Sequence, residues 1–302
     1  MVQKYNIFQI NQLLKNLNYL GFLILAMLVF FTNKYFGLVM APFFIFGIIS
    51  SGIPYFGGIA NAVPFLVALL APIALLVVKQ LSVNHKTYIT IMTLIGCLHV
   101  FFYLLDGSLM LALPLILITS WFLLFDNLPK QKRIIWSTLL PSIYMVGFIA
   151  SLLIKQVLSS LLLGFDIAFN EFIEIVLFRS GDSLYGNEII LTQTLEKIFY
   201  FFNIETYRSD ALYFIIVYAG LAFWALSIAI IIFLLISGRN RELLMGSGIF
   251  FLAAIAIFAR FYLMMNHSYE HAFIVGRYLF VPMSFGWCIF IYQILSFTKG
   301  SV

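Results

Sequence analysis

Five ionisable residues lie close together near the end of the chain, inside and between two long apolar runs. They are Arg260, His267, Glu270, His271 and Arg277. A charged side chain in hydrocarbon costs about 2.5–3.5 kcal/mol on insertion scales, so arginines flanked by apolar residues are candidates for function. Guanidinium groups bind phosphates by charge-assisted, often bidentate, hydrogen bonds, and a neighbouring acid or imidazole can act as a general base. The group therefore predicts a phosphate-binding site with acid–base chemistry.

Two further regions contribute candidates to this site. Asp106 is the first acidic residue of the chain, and we expect it at the same depth in the membrane as the arginine–histidine group. The candidates for a catalytic base are Asp106, Glu270 and His271. The predicted substrate-binding residues, two of which belong to a separate outer segment, are Arg260, His267, Arg277, Tyr278, Arg179 and Asp182.

The stretch His267-Ser268-Tyr269-Glu270-His271 matches the H-x-x-E-H pattern of some zinc proteases. In that pattern two histidines one helical turn apart hold the metal and the glutamate is the base. No acidic residue follows Glu270, so the downstream glutamate ligand of those enzymes is missing. We therefore expect no resident metal and no cofactor. A bound divalent metal is the less favoured alternative.

The composition sets the environment of these residues. Of the 302 residues, 63% are hydrophobic and 10% are charged, against about 25% charged in an average soluble domain. Too few polar side chains remain to cover a water-soluble globule, and a disordered chain or a disulfide-rich fold is excluded as well. The net charge of +5 indicates membrane topology and not nucleic-acid binding. We expect an all-α, polytopic transmembrane helical bundle, one membrane domain over residues 1–302, with membrane lipid as a partner.

The apolar runs predict how many times the chain crosses the membrane. A bilayer core of about 30 Å needs about 20 apolar residues per helix. Six spans are predicted at 88–105, 109–125, 135–154, 211–236, 243–265 and 273–297. The earlier region 18–80 is interrupted by polar residues, glycine and proline, and holds either two spans with a re-entrant piece or three short spans. The three would be 18–32, 36–53 and 60–79, so the prediction is eight or nine spans, with nine favoured.

Lysine and arginine predict the orientation, because they are enriched in cytoplasmic loops. The basic connections are 79–86, 126–133, 238–241 and the tail at Lys299. All four fall on one side, predicted to be cytoplasmic, if six spans follow residue 88. Asp106, 156–210 and 266–273 would then lie outside. Nine spans would also place Lys4 and Lys15 outside, against the rule, so the side of the N-terminus stays open.

The longest connection, residues 156–210, carries eight acidic and three basic residues. Apolar residues recur at helical spacing in two parts of it, which predicts two amphipathic helices lying in the outer interface. The first covers Leu161 to Leu177 and the second Asn187 to Asn203, with Arg179 and Asp182 in the turn between them. These helices either cap the bundle or cover a site at the outer surface.

Gly276-Arg277-Tyr278-Leu279-Phe280-Val281-Pro282 opens the last predicted span from the outer side. It resembles the R-Y-L-[FY]-x-P element that occurs late in GT-C type membrane glycosyltransferases, which use a sugar donor on a polyprenyl phosphate. The resemblance implies that Arg277 contacts the lipid phosphate and that Tyr278 positions the donor. Those enzymes place a catalytic acid in the first outer loop, a role that would fall here to Asp106 or to an acid of 156–210. The arginine–histidine group would also suit the related O-antigen ligases and polymerases, which need no metal.

The resemblance implies a membrane glycosyltransferase-like protein that acts on polyprenyl-phosphate-linked sugars at the extracytoplasmic face of a bacterial inner membrane. Two other functions stay open. A transporter or flippase is suggested by the broken region around Pro54 and Pro64, because discontinuous helices often form substrate sites. The third function is that of a non-catalytic subunit of an envelope assembly, which would have a membrane-protein partner.

Overall fold

The structure, a computed structural model, describes residues 2–52, 59–81, 84–102, 108–164, 211–263 and 273–299, with three isolated positions between 165 and 210. Apart from short connections, the chain is helical in these ranges, which confirms the all-α prediction, and they contain no strand. The helices are α1 (Val2–Thr32), α2 (Lys34–Gly52), α3 (Ile59–Gln80), α4 (His85–Phe102), α5 (Ser108–Thr119), α6 (Lys130–Leu163), α7 (Ala211–Ser237), α8 (Arg241–Leu263) and α9 (Phe273–Lys299). A π-helical turn, Ser120–Leu124, continues α5.

Each of the nine predicted spans coincides with one of these helices, and α6, like α1 with its 31 residues, is much longer than predicted. It has 34 residues and ends only at Gly164, whose φ of 74° is a left-handed conformation that glycine adopts without strain. Residues 161–163, expected to begin the first amphipathic helix, therefore belong to α6. Apart from the isolated positions, the rest of both amphipathic helices lies outside the described residues.

Consecutive helices run in opposite directions, so that their ends meet at two ends of a bundle. Phe22 of α1 packs on Phe43 of α2, with ring centroids 5.8 Å apart, in an antiparallel pair. Gln80 at the end of α3 donates a hydrogen bond of 3.1 Å to Thr32 at the end of α1. We call the end at which α1, α3, α5, α7 and α9 finish the lysine-rich end, and the other the opposite end. The four basic connections predicted to share one side all lie at the lysine-rich end.

The described residues at the lysine-rich end include nine basic positions and two acids, Asp126 and Glu242. The basic residues are Lys34, Lys79, Lys86, Lys130, Lys132, Arg133, Arg239, Arg241 and Lys299. Lys4 and Lys15, by contrast, belong to the part of α1 that points toward the opposite end. The N-terminal lysines thus do not share the end at which the basic connections collect.

The close packing of α4 against α6 depends on glycine. A Cβ atom at Gly96 would overlap the carbonyl of Tyr144, and one at Gly147 would overlap the carbonyl of Thr93. The backbones can then exchange hydrogen bonds with side chains, and Ser151 Oγ donates to the carbonyl of Cys97 at 2.9 Å. Small residues permit such close approach between apolar helices, as in membrane proteins.

The sequence Gly246-Ser247-Gly248 in α8 is likewise a packing site, but only through its first two residues. A Cβ at Gly246 would overlap the hydroxyl of Tyr292 in α9, whereas Gly248 faces open space. The buried Ser247 Oγ accepts a hydrogen bond of 3.1 Å from Gln293 Nε2. These contacts fix α8 against α9 near the lysine-rich end.

Three helical segments of the described residues are both long and apolar enough to cross a membrane, namely Lys130–Leu163, Ile215–Ser237 and Val281–Thr298. Four shorter apolar helical segments are Asn16–Thr32, Lys34–Ile49, Leu66–Gln80 and Leu111–Leu124. The chain therefore has the helices of a membrane protein, and fewer of them reach full spanning length than the eight or nine predicted.

Candidate functional site

Most of the predicted site residues lie outside the described residues. This holds for Asp106, Arg179, Asp182, His267, Glu270 and His271. The backbone is described at Arg260, Arg277 and Tyr278, which lie in α8 and α9, and nothing is established there about the side chains. The assignment of these nine residues to one site thus stays a prediction.

The backbone does place the two arginine positions at a similar level of the opposite end. Phe250 of α8 packs on Phe285 of α9, with ring centroids 6.3 Å apart. Arg260 lies ten residues beyond Phe250 and Arg277 eight residues before Phe285, which corresponds to about 15 Å and 12 Å along antiparallel helices. Neighbouring helices therefore carry both arginines at one depth.

A cavity of about 370 Å³ lies at the lysine-rich end. Its wall combines charged, amide and hydroxyl groups with aromatic rings from α2, the π-helical turn, α6, α8 and α9. The lining residues are Asn33, Tyr35, Phe36, Trp121, Phe122, Asp126, Arg133, Asn240, Glu242, Leu243, Tyr292 and Ser296. A second cavity of about 260 Å³ between α5, α6 and α8 has no ionisable side chain in its wall. The first cavity is therefore the candidate site of the described part of the chain.

Arg133 is the buried cation of this cavity, since only 9% of the residue is exposed. Its Nε donates a hydrogen bond of 2.9 Å to the carbonyl of Trp121. Its guanidinium carbon lies 4.3 Å from the centroid of the Trp121 ring, a favourable cation–π position. These two contacts to Trp121 fix the orientation of the guanidinium plane in the cavity wall. The Nη1 atom lies 3.5 Å from a carboxylate oxygen of Glu242.

The π-helical turn explains why the cations gather here. The last carbonyl groups of a helix lack partners within it, and a π turn further alters the hydrogen-bond pattern. Arg133 bonds the carbonyl of Trp121, and Lys79 Nζ bonds that of Leu123. Lys79 also lies 3.7 Å from Asp126. Two cations at the negative end of a helix dipole thus stabilise the end of α5.

Glu242 enters the cavity from the first turn of α8. Asn240 begins this helix by accepting a hydrogen bond of 3.1 Å from the amide of Leu243, as an N-cap residue does. A carboxylate in the first turn is favoured by the helix dipole. The Glu242 side chain is 68% exposed, so it pairs with Arg133 from the water side.

Aromatic rings close the cavity toward the core of the bundle. Phe36 stacks on Phe122 with centroids 4.6 Å apart, and Phe122 meets Tyr292 edge to face at 5.3 Å. Across the cavity the hydroxyls of Tyr35 and Ser296 are hydrogen-bonded at 3.0 Å. This layer separates the charged groups from the apolar interior, so the cavity is a cup that opens at the bundle end.

The chemistry of such a cup is recognition of an anion by a fixed guanidinium, with amides and hydroxyls as additional donors. No group of three or more histidine, cysteine, aspartate or glutamate side chains suited to a metal ion occurs in the part of the chain that the structure describes. Asp126 and Glu242 each face a basic partner there.

Sequence reasoning used Arg133 only as a topology signal, because it follows Lys130 and Lys132 in a basic connection. Its position in the helical repeat of α6 distinguishes Arg133 from the two lysines. The buried residues of α6 are Arg133, Ser137, Leu140, Tyr144, Gly147, Phe148, Ser151 and Leu152, which recur at intervals of three and four. Arg133 is therefore the first residue of the stripe that faces the bundle, whereas Lys130 and Lys132 are exposed.

Comparison with protein-family models, with curated proteins and with solved structures gives no match.

Proposed function

We propose that the chain is a multi-pass protein of a bacterial inner membrane in which all nine helices cross the bilayer. The strict alternation of helix direction supports this, because it collects the basic connections at one end, as the positive-inside rule requires. Large apolar side chains such as Met27, Ile135 and Phe233 are exposed on the sides of the bundle, where lipid would cover them. The lysine-rich end would then be cytoplasmic.

The short helices are compatible with this topology. α5 and its π turn contain 12 and 5 residues, so together they reach about 25 Å against a core of about 30 Å. α5 contacts α3, α6 and α8, and its described side chains are mostly buried among them. A helix enclosed by protein does not need to match the lipid thickness, and local thinning accommodates small differences.

For the opposite end we propose transfer of a glycan from a polyprenyl-phosphate carrier. The observation that carries the proposal is the similar depth of the Arg260 and Arg277 backbone positions on neighbouring antiparallel helices, together with the resemblance of 276–282 to the GT-C element. The two guanidinium groups would bind the phosphate of the carrier by charge-assisted hydrogen bonds. Their position near the helix ends corresponds to the headgroup level.

The reaction would be a displacement at the anomeric carbon. An acceptor hydroxyl loses its proton to Asp106, Glu270 or His271 as its oxygen attacks. The bond between the anomeric carbon and the phosphate oxygen breaks, and the arginines stabilise the leaving phosphate. His267, Tyr278, Arg179 and Asp182 would bind or orient the substrates. Exclusion of water by the segment 165–210 would suppress hydrolysis.

A transporter or flippase is the second candidate, and one observation favours it. The polar cavity at the lysine-rich end and the arginine positions at the opposite end could receive the same anionic headgroup on the two sides of a membrane. In that case the substrate would move without any covalent bond changing.

Native mass spectrometry of the protein purified with its lipids tests the enzyme proposal. We expect a co-purifying polyprenyl phosphate that is retained by the wild-type protein and by Arg239→Ala, whose arginine is exposed at the lysine-rich end. Arg277→Ala should lose it. Retention by Arg277→Ala, or no polyprenyl lipid in any sample, would refute the assignment.

Cysteine accessibility tests the topology. Single cysteines at positions 106, 182 and 268 should react with a membrane-impermeant thiol reagent added outside. A cysteine at position 239 or 240 should react only after the inner face is opened, and the wild-type protein, with its buried Cys288 and half-buried Cys97, gives the background. Labelling of position 106 from the same side as position 239 would contradict the proposed arrangement.

A further inference from the structure

We propose that the cavity around Arg133 is a binding site for a phosphate monoester and that Glu242 occupies the place of this ligand when the site is free. The proposal concerns the lysine-rich end alone and does not depend on the reaction proposed for the opposite end. It follows from the state of the guanidinium, the charge around it and the shape of the cavity.

The guanidinium of Arg133 is prepared for a ligand. One of its donors is used by the Trp121 carbonyl and its face lies on the Trp121 ring, so its orientation is fixed before anything binds. Arg133 lines the cavity, and its Nη1 atom lies 3.5 Å from a carboxylate oxygen of Glu242, a longer distance than that of a good charge-assisted hydrogen bond. An incoming phosphate oxygen could approach more closely than Glu242 does.

Glu242 can be exchanged for another anion at little cost. Its side chain is 68% exposed, whereas that of Arg133 is 11% exposed, so the acid regains water as soon as it turns away. Exposed ion pairs are worth little, because solvent and salt screen them. A buried guanidinium without an anion is costly by comparison. The pair is therefore asymmetric, with a fixed cation and an exchangeable anion.

The surrounding charge selects an anion over a cation. Nine basic residues and two acids lie at this end among the described residues, and Asp126 already has Lys79 as its partner at 3.7 Å. The cavity wall itself carries one base, Arg133, and two acids, so its preference for an anion depends on the pairing of Asp126 with Lys79 and on the displacement of Glu242. The number of basic residues at this end is explained by membrane topology alone. The burial of Arg133 in a cavity is not explained by topology.

The cavity is larger than an inorganic ion requires. Its volume of about 370 Å³ lies within the range of pockets for organic ligands. Beside Arg133 the wall offers the amides of Asn33 and Asn240 and the aromatic surfaces of Tyr35 and Tyr292. This combination suits a phosphate carried on a small organic group. A lipid headgroup and a soluble phosphate ester share that chemistry.

Titration calorimetry in phosphatidylcholine nanodiscs tests the soluble source, with glycerol 3-phosphate as the probe at near-physiological ionic strength. Arg133→Ala should weaken binding by about tenfold to a hundredfold, because a hydrogen-bonded charge is lost. Arg133→Lys should weaken it as well, since lysine keeps the charge but not the planar fork. Arg239→Ala removes an exposed arginine that does not line the cavity and should change binding less than about threefold.

Glu242→Gln separates a ligand site from a structural ion pair. If the carboxylate competes with the ligand, its removal should tighten phosphate binding by about twofold, as the loss of an internal competitor does. Unchanged or weaker binding in this variant would overturn the proposal. So would an equal loss of binding in Arg239→Ala and Arg133→Ala, which would indicate diffuse attraction by the basic end.

Nanodiscs that contain phosphatidic acid in phosphatidylcholine test the lipid source. Native mass spectrometry should find phosphatidic acid retained by the wild-type protein and by Arg239→Ala, and lost from Arg133→Ala. Retention of this lipid without binding of glycerol 3-phosphate identifies a headgroup site, and the reverse identifies a soluble ester. Binding of neither probe refutes the proposal, provided that each variant is monodisperse and keeps its helical circular dichroism.

Discussion

The two ends of the bundle both hold arginines within helices, and they differ in what makes those arginines conspicuous. Arg260 and Arg277 stand alone between apolar residues, so the sequence marks them at once. Arg133 belongs to a basic connection, and only its burial on Trp121 distinguishes it from Lys130 and Lys132. The comparison shows that a charged residue that is conspicuous in the sequence need not be the one that the fold buries and holds in a fixed orientation.

The largest expected effect belongs to the opposite end. Arg277→Ala should lower the transfer rate from a polyprenyl-phosphate hexose by about a hundredfold or more, because one donor to the developing phosphate charge is removed. Glycerol 3-phosphate binding should stay unchanged. A radiochemical transfer assay in proteoliposomes measures the rate, with Arg239→Ala as the matched control. Full activity in Arg277→Ala would show that Arg277 takes no part in transfer. The proposed catalytic role of the opposite end would then have no support.

Removal of Arg133 should have the largest effect on stability at the lysine-rich end. Arg133→Ala takes the side-chain donor from the Trp121 carbonyl and leaves Glu242 without its partner. We expect the free energy of unfolding to fall by about 1–3 kcal/mol. Denaturation of the purified protein in mixed detergent micelles measures it. Arg239→Ala should change it by less than about 0.5 kcal/mol, and equal losses would show that Arg133 is an ordinary surface charge.

The stacking of Arg133 on Trp121 should contribute a smaller amount. A double-mutant cycle with Arg133→Met and Trp121→Phe should give a coupling energy of about 0.5–1 kcal/mol, because tryptophan binds a cation better than phenylalanine does. The same denaturation assay supplies the four free energies. Strict additivity of the two substitutions would mean that the indole does not hold the guanidinium.

The smallest effect is expected for Glu242. Its side chain is 68% exposed, so Glu242→Gln should lower the free energy of unfolding by less than about 0.5 kcal/mol. Added salt should reduce the difference further, because it screens an exposed pair. Unfolding curves at two ionic strengths give the answer. A loss comparable to that of Arg133→Ala would make the pair a structural one, and Glu242 would not be exchangeable.

Several features of the fold were predictable because they depend on neighbouring residues. An apolar run long enough for a helix is visible in the sequence, and all nine predicted runs form helices. The extension of α6 to Leu163 was missed, because the change from apolar to mixed composition after Ile154 does not interrupt a helix. The helix stops at Gly164, where the backbone turns left-handed.

The cavity was not predictable in the same way. Tyr35 and Ser296 are 261 residues apart in the chain, and Arg133 meets Trp121 only because a π turn presents its carbonyl. The predicted outer site is a different case, since most of its residues lie outside the described part of the chain and its assignment stays a prediction. In both cases the sequence offers several candidate residues. Only the convergence of their side chains in the fold decides which of them form a site.

The sequence by itself predicted the apolar helices and, if six spans follow residue 88, the collection of the basic connections at one end, while it left open whether 18–80 holds two spans or three. These properties follow from local hydrophobicity and from the parity of the helix count, and they need no knowledge of packing. Only the tertiary structure decided that one cation, Arg133, is buried beside Trp121 with the exposed carboxylate of Glu242 3.5 Å away. The physical reason is that burial depends on how each helix is rotated about its axis. That rotation is fixed by contacts between distant segments, such as Gly96 against α6 and Gly246 against Tyr292.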